Sequence, residues 1–196
     1  ALEIARLAKK KGLYNIFVTN GYMTAECLEA LAGALDAANV DLKGSSDEYY
    51  QKTCGARLEP VLETIGRMKK MGIWVEATTL IVPGLNDGPD ELRKTASFLA
   101  GAGEEIPWHI SRFYPMYKLN TLSQTPMSTL KKAYEIGKEA GLRYVYLGNL
   151  PGEGEDTFCC NCNELLIDRV GYYVKNNVIE EGKCPKCKTV IHGIWK

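Results

Sequence analysis

The sequence predicts an α/β fold: a parallel sheet made from repeated βα units, followed by a small module nucleated by metal. Three observations predict it. Through residues 1–150, short apolar segments ending in polar residues alternate with segments whose apolar residues recur at helical spacing. Gly or Pro punctuates the junctions, at Gly12, Gly72, Pro83-Gly84 and Pro115. The tail instead carries two cysteine knuckles, Cys159-Cys160-Asn161-Cys162 and Cys184-Pro185-Lys186-Cys187. Residues 1–150 are therefore expected to form one domain, a barrel or open α/β sheet, and residues 151–196 a second, metal-binding one. Pro151-Gly152-Glu153-Gly154-Glu155-Asp156 reads as the linker between them.

The elements follow in order. A first amphipathic helix carries Leu2, Ile4 and Leu7 and stops at Gly12. A strand over 16–18 ends at Thr19-Asn20-Gly21. Thr24 then caps a helix with Leu28, Leu31, Ala32 and Leu35 on one face. The next strand covers 39–43, and Ser45-Ser46-Asp47 caps a short helix. Leu58, Val61, Ile65 and Met68 line another helix, closed by Gly72. The longest strand spans 73–82 and breaks at Pro83-Gly84. Pro89 at a first helical position, beside Asp90 and Glu91, opens a helix bearing Leu92, Ala96 and Leu99. A strand over 108–113 leads to Tyr114-Pro115. Ser128 is expected to cap a helix with Leu130, Ala133 and Tyr134, and 142–147 forms the last strand.

Each knuckle places two thiolates within reach of one tetrahedral ion, and two knuckles complete a four-sulfur shell of zinc-ribbon or rubredoxin type, suited to Zn or Fe. The expected ligands are Cys159, Cys162, Cys184 and Cys187, with Cys160 spare. Leu165-Leu166-Ile167 and Val190-Ile191 are too little to fold such a module alone, so metal binding supplies much of its folding free energy. The residue after a knuckle needs a left-handed backbone. Asn163 accepts that readily, and Lys188 does not.

Composition excludes several classes. The 24 basic and 24 acidic side chains cancel, leaving no electrostatic footprint for nucleic acid. No apolar run approaches the ~20 residues that span a bilayer, and the first residues do not form a signal peptide. Free thiols at Cys27 and Cys54, together with thiolate metal ligands, fit a cytoplasmic protein.

In parallel α/β folds chemistry gathers at the C-terminal ends of strands. That rule selects Thr19 and Asn20, Asp41 with Lys43, Thr78 and Thr79 with Asn86 and Asp87, and Arg112 with Tyr114. Asp41 and Glu76 stand out because a carboxylate within a parallel strand is costly unless paired. Asp41 needs Lys43, a cation or a ligand; an ion pair tying two strands is the plain alternative, and Glu76 raises the same choice.

The strand ends, taken as an ordered set, resemble a known series. Val18-Thr19-Asn20-Gly21-Tyr22, Val40-Asp41-Leu42-Lys43-Gly44, Leu80-Ile81-Val82-Pro83-Gly84-Leu85-Asn86-Asp87 and Arg112-Phe113-Tyr114-Pro115 look like the second half of a radical S-adenosylmethionine (SAM) enzyme related to pyruvate formate-lyase activating enzymes. The knuckles and the ending Ile191-His192-Gly193-Ile194-Trp195 narrow the likeness to the AmmeMemoRadiSam-system radical SAM enzymes. The resemblance implies a partial (β/α) barrel and two cofactors, SAM and a 4Fe-4S cluster held by a CxxxCxxC loop. Reduction of that cluster cleaves SAM to a 5′-deoxyadenosyl radical, which takes a hydrogen atom from the substrate. It places Thr19 and Asp41 around the methionine end of SAM, Lys43 at its ribose or carboxylate, and Tyr114 beside the adenosine, with Asn20 a further cofactor-binding residue. It also suggests a glycyl radical protein as the partner.

The departures are as informative. The chain contains no CxxxCxxC, and Cys27 and Cys54 cannot substitute, since one lies on a helix face and the other follows a different strand. The expectation is a fragment without its first two strands, inactive alone, with an open apolar edge at 16–18; a natural short paralogue is the alternative. Two other classes remain: a metal-binding interaction or electron-transfer module on a barrel scaffold, and a barrel enzyme using Lys43 as a Schiff-base lysine.

Overall fold

A computed structural model describes residues 1–150 and 152–195. Five parallel strands form one sheet in the order β1-β2-β3-β4-β5: Ile16–Thr19, Ala37–Asp41, Trp74–Ile81, Trp108–Arg112 and Val145–Gly148. Every neighbouring pair is parallel, so all five C-terminal ends lie along one rim. The helices that cross between them are α1 Leu2–Lys10, α2 Ala25–Ala30, α3 Asp47–Tyr49, α4 Glu59–Lys70, α5 Pro89–Ala102 and α6 Met127–Glu139. A π-type turn, Tyr50–Cys54, extends α3. A second, antiparallel sheet of β6 Thr157–Phe158, β7 Leu165–Val170 and β8 Tyr173–Asn177 belongs to the cysteine module.

The alternation along β3 explains the layers. Val75, Ala77, Thr79 and Ile81 are buried, while Trp74, Glu76, Thr78 and Leu80 are half-buried on the opposite face. The buried set joins Val40, Ile65, Met68, Leu92, Leu99, Trp108 and Leu130 in one core between sheet and helices. Burial on this scale, at about 25 cal/mol per Å² of apolar surface, is what holds the helices to the sheet. Gly137 lets α6 approach closely: a Cβ there would lie 2.9 Å from the Trp108 ring. The other face of the sheet is polar and aromatic, and the cysteine module packs against its β5 end. Tyr144 shares a small core with Leu166, Ile167, Ile191, Cys159 and Cys184.

Several local expectations change. β2 starts and ends two residues earlier than expected, so Lys43 lies beyond the strand. β5 begins at Val145, not 142. The helix after Thr24 ends at Ala30, where Gly33 turns the chain at φ +69°; Leu28, Leu31 and Leu35 stay buried, and Ala32 does not. Thr24 does cap that helix, its hydroxyl accepting from the Cys27 amide, and Ser46 likewise accepts from Tyr49. Ser128 does not cap α6, because the helix already starts at Met127 behind Pro126. Two of the three apolar residues expected to pack from α1 face outward: Ile4 and Leu7 are exposed, while Leu2 is half-buried against the core and Ala5 is buried. Their neighbour β1 is the edge of its sheet, and Val18 is 83% exposed and Ile16 65%.

Candidate metal centre and strand-end rim

The cysteine module is built by two matching turns. The Asn163 amide donates to the Cys159 carbonyl at 3.0 Å, and the Lys188 amide to the Cys184 carbonyl at 2.9 Å. Each turn then closes on its own strand, Cys159 donating to Glu164 and Cys184 to Thr189. Both residues after the knuckles take left-handed backbone, Asn163 at φ 56° and Lys188 at φ 59°. Lys188 thus accepts a conformation unfavourable for its side chain, by roughly 1–2 kcal/mol.

These turns bring the sulfurs of Cys159, Cys162, Cys184 and Cys187 within 4.8 Å of one another. Cys159 and Cys187 are 3.5 Å apart, Cys162 and Cys184 3.7 Å. A disulfide requires about 2.05 Å, so neither pair is bonded. Four sulfurs bound to one ion at ~2.3 Å sit ~3.8 Å apart at the corners of a tetrahedron. The donor set therefore fits a single Zn or Fe ion, and Cys160 lies outside it. The Thr189 hydroxyl and amide pull the Cys187 thiol down to about 5. The Glu164 amide also favours a Cys162 thiolate, but burial and the three neighbouring sulfurs outweigh it and hold that thiol up at about 12. Such a quartet is fully ionised only around a cation.

The rim residues are held differently. The Thr19 hydroxyl accepts from the Gly21 amide at 3.1 Å, and the Asn20 side chain accepts from Tyr22 at 3.0 Å. Both shape the turn after β1, and alternation puts Thr19 on the helix side of the sheet, with Phe17. Asp41 pairs with Lys43, Nζ to Oδ2 at 2.8 Å, with both side chains about a third exposed. The Lys43 ammonium is thus ion-paired, a poor arrangement for a Schiff-base amine. Tyr114 donates from its hydroxyl to the Asn149 carbonyl at 3.2 Å, and the Arg112 guanidinium lies 5.3 Å from its ring. Asp41, Lys43 and Tyr114 follow the C-terminal ends of β2 and β4, on the same rim as Thr19 and Asn20.

Other shortlisted residues have structural partners. Asn86 donates to the carbonyls of Lys43 and Leu80, at 2.6 and 2.8 Å, and accepts from the Val82 amide at 2.6 Å. It fastens the loop after β2 to the end of β3. Thr79 donates to the Leu42 carbonyl and accepts from the Trp108 indole. Asp87 accepts from Gly84, and Thr78 donates to Asn39. Glu76 accepts from the Trp74 indole at 3.0 Å and lies 2.6 Å from His109 Nε2. His109 in turn stacks on Tyr146, ring centroids 5.3 Å apart. His109 and Tyr146 were not singled out from sequence, although period-two alternation in their strands was the available signal.

Cys27 and Cys54 are exposed, on α2 and at the end of the π-type turn. With the tail cysteines sharing one site, the chain holds no set of three cysteines for an iron–sulfur cluster of the CxxxCxxC kind. No helix among the described residues is long and apolar enough to cross a membrane.

Comparison with known proteins bears on this rim. An uncharacterized protein of Methanocaldococcus jannaschii is 48% identical over 185 residues, 92% of this chain and 55% of that protein. The (2S)-3-sulfopropanediol sulfolyase activating enzyme of Bilophila wadsworthia is 26% identical over 138 residues, 69% of this chain and 43% of that enzyme. The chain thus spans about half the length of the curated relatives it matches. A domain of a pyruvate-formate lyase-activating enzyme from Bacteroides vulgatus has the same fold, with TM-score 0.64 and 17% identity over 76% of this chain and 89% of that one. The family model described as the Radical SAM superfamily matches residues 1–99, half of the chain, including β1, β2 and β3 with their rim loops. The chain belongs to the radical SAM superfamily.

Proposed function

We propose that this chain supplies the strand-end half of a SAM pocket in an enzyme of the activating-enzyme type. Thr19, Asn20, Asp41, Lys43 and Tyr114 border SAM, and Cys159, Cys162, Cys184 and Cys187 hold a structural metal. The observation that carries the reading is the family match over residues 1–99, which takes in four of the five rim residues. When bound, SAM and its cluster supply radical chemistry. The chain's own part is to hold the methionine and adenosine ends at the rim, where the Asp41–Lys43 pair offers both charges to a zwitterionic ligand.

The cluster ligands must come from polypeptide outside these 196 residues, since no cysteine set here suits them. The outer edge of β1 is unpaired among the described residues, and its exposed Ile16 and Val18 suit a further strand and its covering helix. The named activating-enzyme relative supports a protein substrate for the assembled enzyme. The test is direct. This chain joined to a half-barrel bearing CxxxCxxC, reconstituted anaerobically and reduced, should convert SAM to 5′-deoxyadenosine, and the 196-residue chain alone should not. Cleavage by the joined protein that survives Asp41→Asn and Thr19→Val together would overturn the assignment of the rim.

A further inference from the structure

A second feature lies below the rim. A cavity of about 1180 Å³ separates the open face of the sheet from the cysteine module. It reaches Tyr114 and Asn149 on the rim but includes none of Thr19, Asn20, Asp41 or Lys43. Trp74, Tyr144, Tyr146 and Trp195 line it, and its volume is at or above that of most small-molecule pockets.

We propose that this cavity binds a small organic amine, with Glu76 receiving the ammonium group and the aromatic walls receiving the apolar body. The acidic and basic groups lining the cavity are two carboxylates, Glu76 and Glu155, one guanidinium, Arg169, and two imidazoles, His109 and His192. Arg169 is committed to the Glu155 carbonyl at 2.9 Å and the Thr157 hydroxyl at 2.7 Å. Glu155 accepts from the Gly171 amide. Glu76 has capacity left. A carboxylate accepts at about four lone-pair positions, and Glu76 uses one oxygen for the Trp74 indole and the other for His109. Those two partners fix its plane, and a third of its side chain remains accessible. Aromatic faces beside a carboxylate bind ammonium ions by cation–π attraction as well as by the ion pair. This site goes beyond the SAM reading and does not depend on it.

The three tryptophans make the test specific. Trp74 and Trp195 line the cavity, while Trp108 is buried on the helix side with its indole on Thr79. In the ¹⁵N-labelled full chain, phenethylamine should shift the Trp74 and Trp195 indole signals saturably and leave Trp108 in place. Phenylacetate, the same body with a negative charge, should leave all three in place. Glu76→Gln, which keeps an acceptor and the shape, should weaken the amine at least about tenfold. An unchanged Trp108 signal certifies that the variant folds, and the contrast between amine and acid in the unmodified chain tests the charge preference without any variant. The proposal is overturned if ~10 mM phenethylamine, enough for ~90% occupancy at a dissociation constant of ~1 mM, leaves Trp74 unmoved. It is equally overturned if phenylacetate binds as well, or if Glu76→Gln binds unchanged. A lysine-bearing peptide that bound more tightly than phenethylamine would overturn the assignment to a small free amine.

Discussion

The cysteine module and the strand-end rim are both assembled at turns, and they organise their residues in opposite ways. In the module, two local turns point four like groups at one centre, and the sulfurs come within 4.8 Å of each other. In the rim, the polar groups are already satisfied by partners within a loop or in a neighbouring one. Thr19 and Asn20 close their own turn, Asp41 answers Lys43, and Tyr114 reaches Asn149. A cluster of four converging thiols suits a thiophilic cation, so the class of its ligand is readable from the protein alone. A rim whose groups are already paired can stand without a ligand, and a ligand there must displace or share those bonds. The contrast also tracks folding: the sheet rests on a large apolar core, whereas the module buries only a few apolar residues, Leu166, Ile167 and Ile191 among them, and on the proposed reading a metal ion supplies the rest of its stability.

The largest effect expected from this contrast is on the module. Cys184→Ser removes a fully buried ligand and should abolish stoichiometric metal binding, a contribution on the order of 10 kcal/mol to folding of the module. Hydrogen exchange should show β7 and β8 losing protection while β3 and β4 keep theirs. Cys160→Ser should leave metal content unchanged. On the rim, Asn86→Ala strands three backbone groups, one buried and two part-buried, and should cost about 3 kcal/mol in urea unfolding, the largest loss among rim substitutions. A cost below ~1 kcal/mol would mean that the loop after β2 is held by other contacts.

Smaller effects sharpen the comparison. Lys188→Asn should raise the stability of the metal-loaded chain by about 1 kcal/mol, because Asn tolerates the left-handed turn after the second knuckle. Asp41→Asn should change stability by less than ~1 kcal/mol, since its ion pair is a third exposed, even though it weakens SAM binding in the assembled enzyme. The acid dependence of the sheet should be smaller still. Burial raises the Glu76 carboxyl, but the His109 and Trp74 hydrogen bonds outweigh it and leave it below its ordinary value. A depressed folded value means this stabilisation is present above the unfolded carboxyl range, near pH ~4.3, and is lost as the pH falls through the folded one. Glu76→Gln should therefore flatten the acid limb of the stability curve, measured by melting below pH ~5.

How far each region was legible from the chain follows from the same physics. Hydrophobic alternation and spacing in 73–82 or around Ile65 and Met68 reveal strands and helices because burial enforces them. The knuckles are legible because both halves of each turn lie within a few residues. Lys188 misled because its left-handed turn is imposed by the knuckle's own hydrogen bond, which overrides a residue preference of 1–2 kcal/mol. Ser128 misled because Pro126 sets the helix start and the cap residue is redundant. The Glu76–His109–Tyr146 contacts join three strands separated by more than 30 residues each, so only the folded sheet brings them together. The outward face of α1 was hidden for the converse reason: its periodicity is helical, but β1 is the edge of the sheet, and among the described residues Ile4 and Leu7 stay exposed.

The contrast rests on the claim that the module completes a metal site with four sulfurs from this chain alone. X-ray absorption at the metal edge of the purified 196-residue chain tests it most directly. The account predicts one Zn or Fe per chain, surrounded by four sulfurs at ~2.3 Å, with Cys160→Ser giving the same spectrum. Fewer than four sulfurs, nitrogen or oxygen in the shell, or metal bound well below one per chain would contradict it.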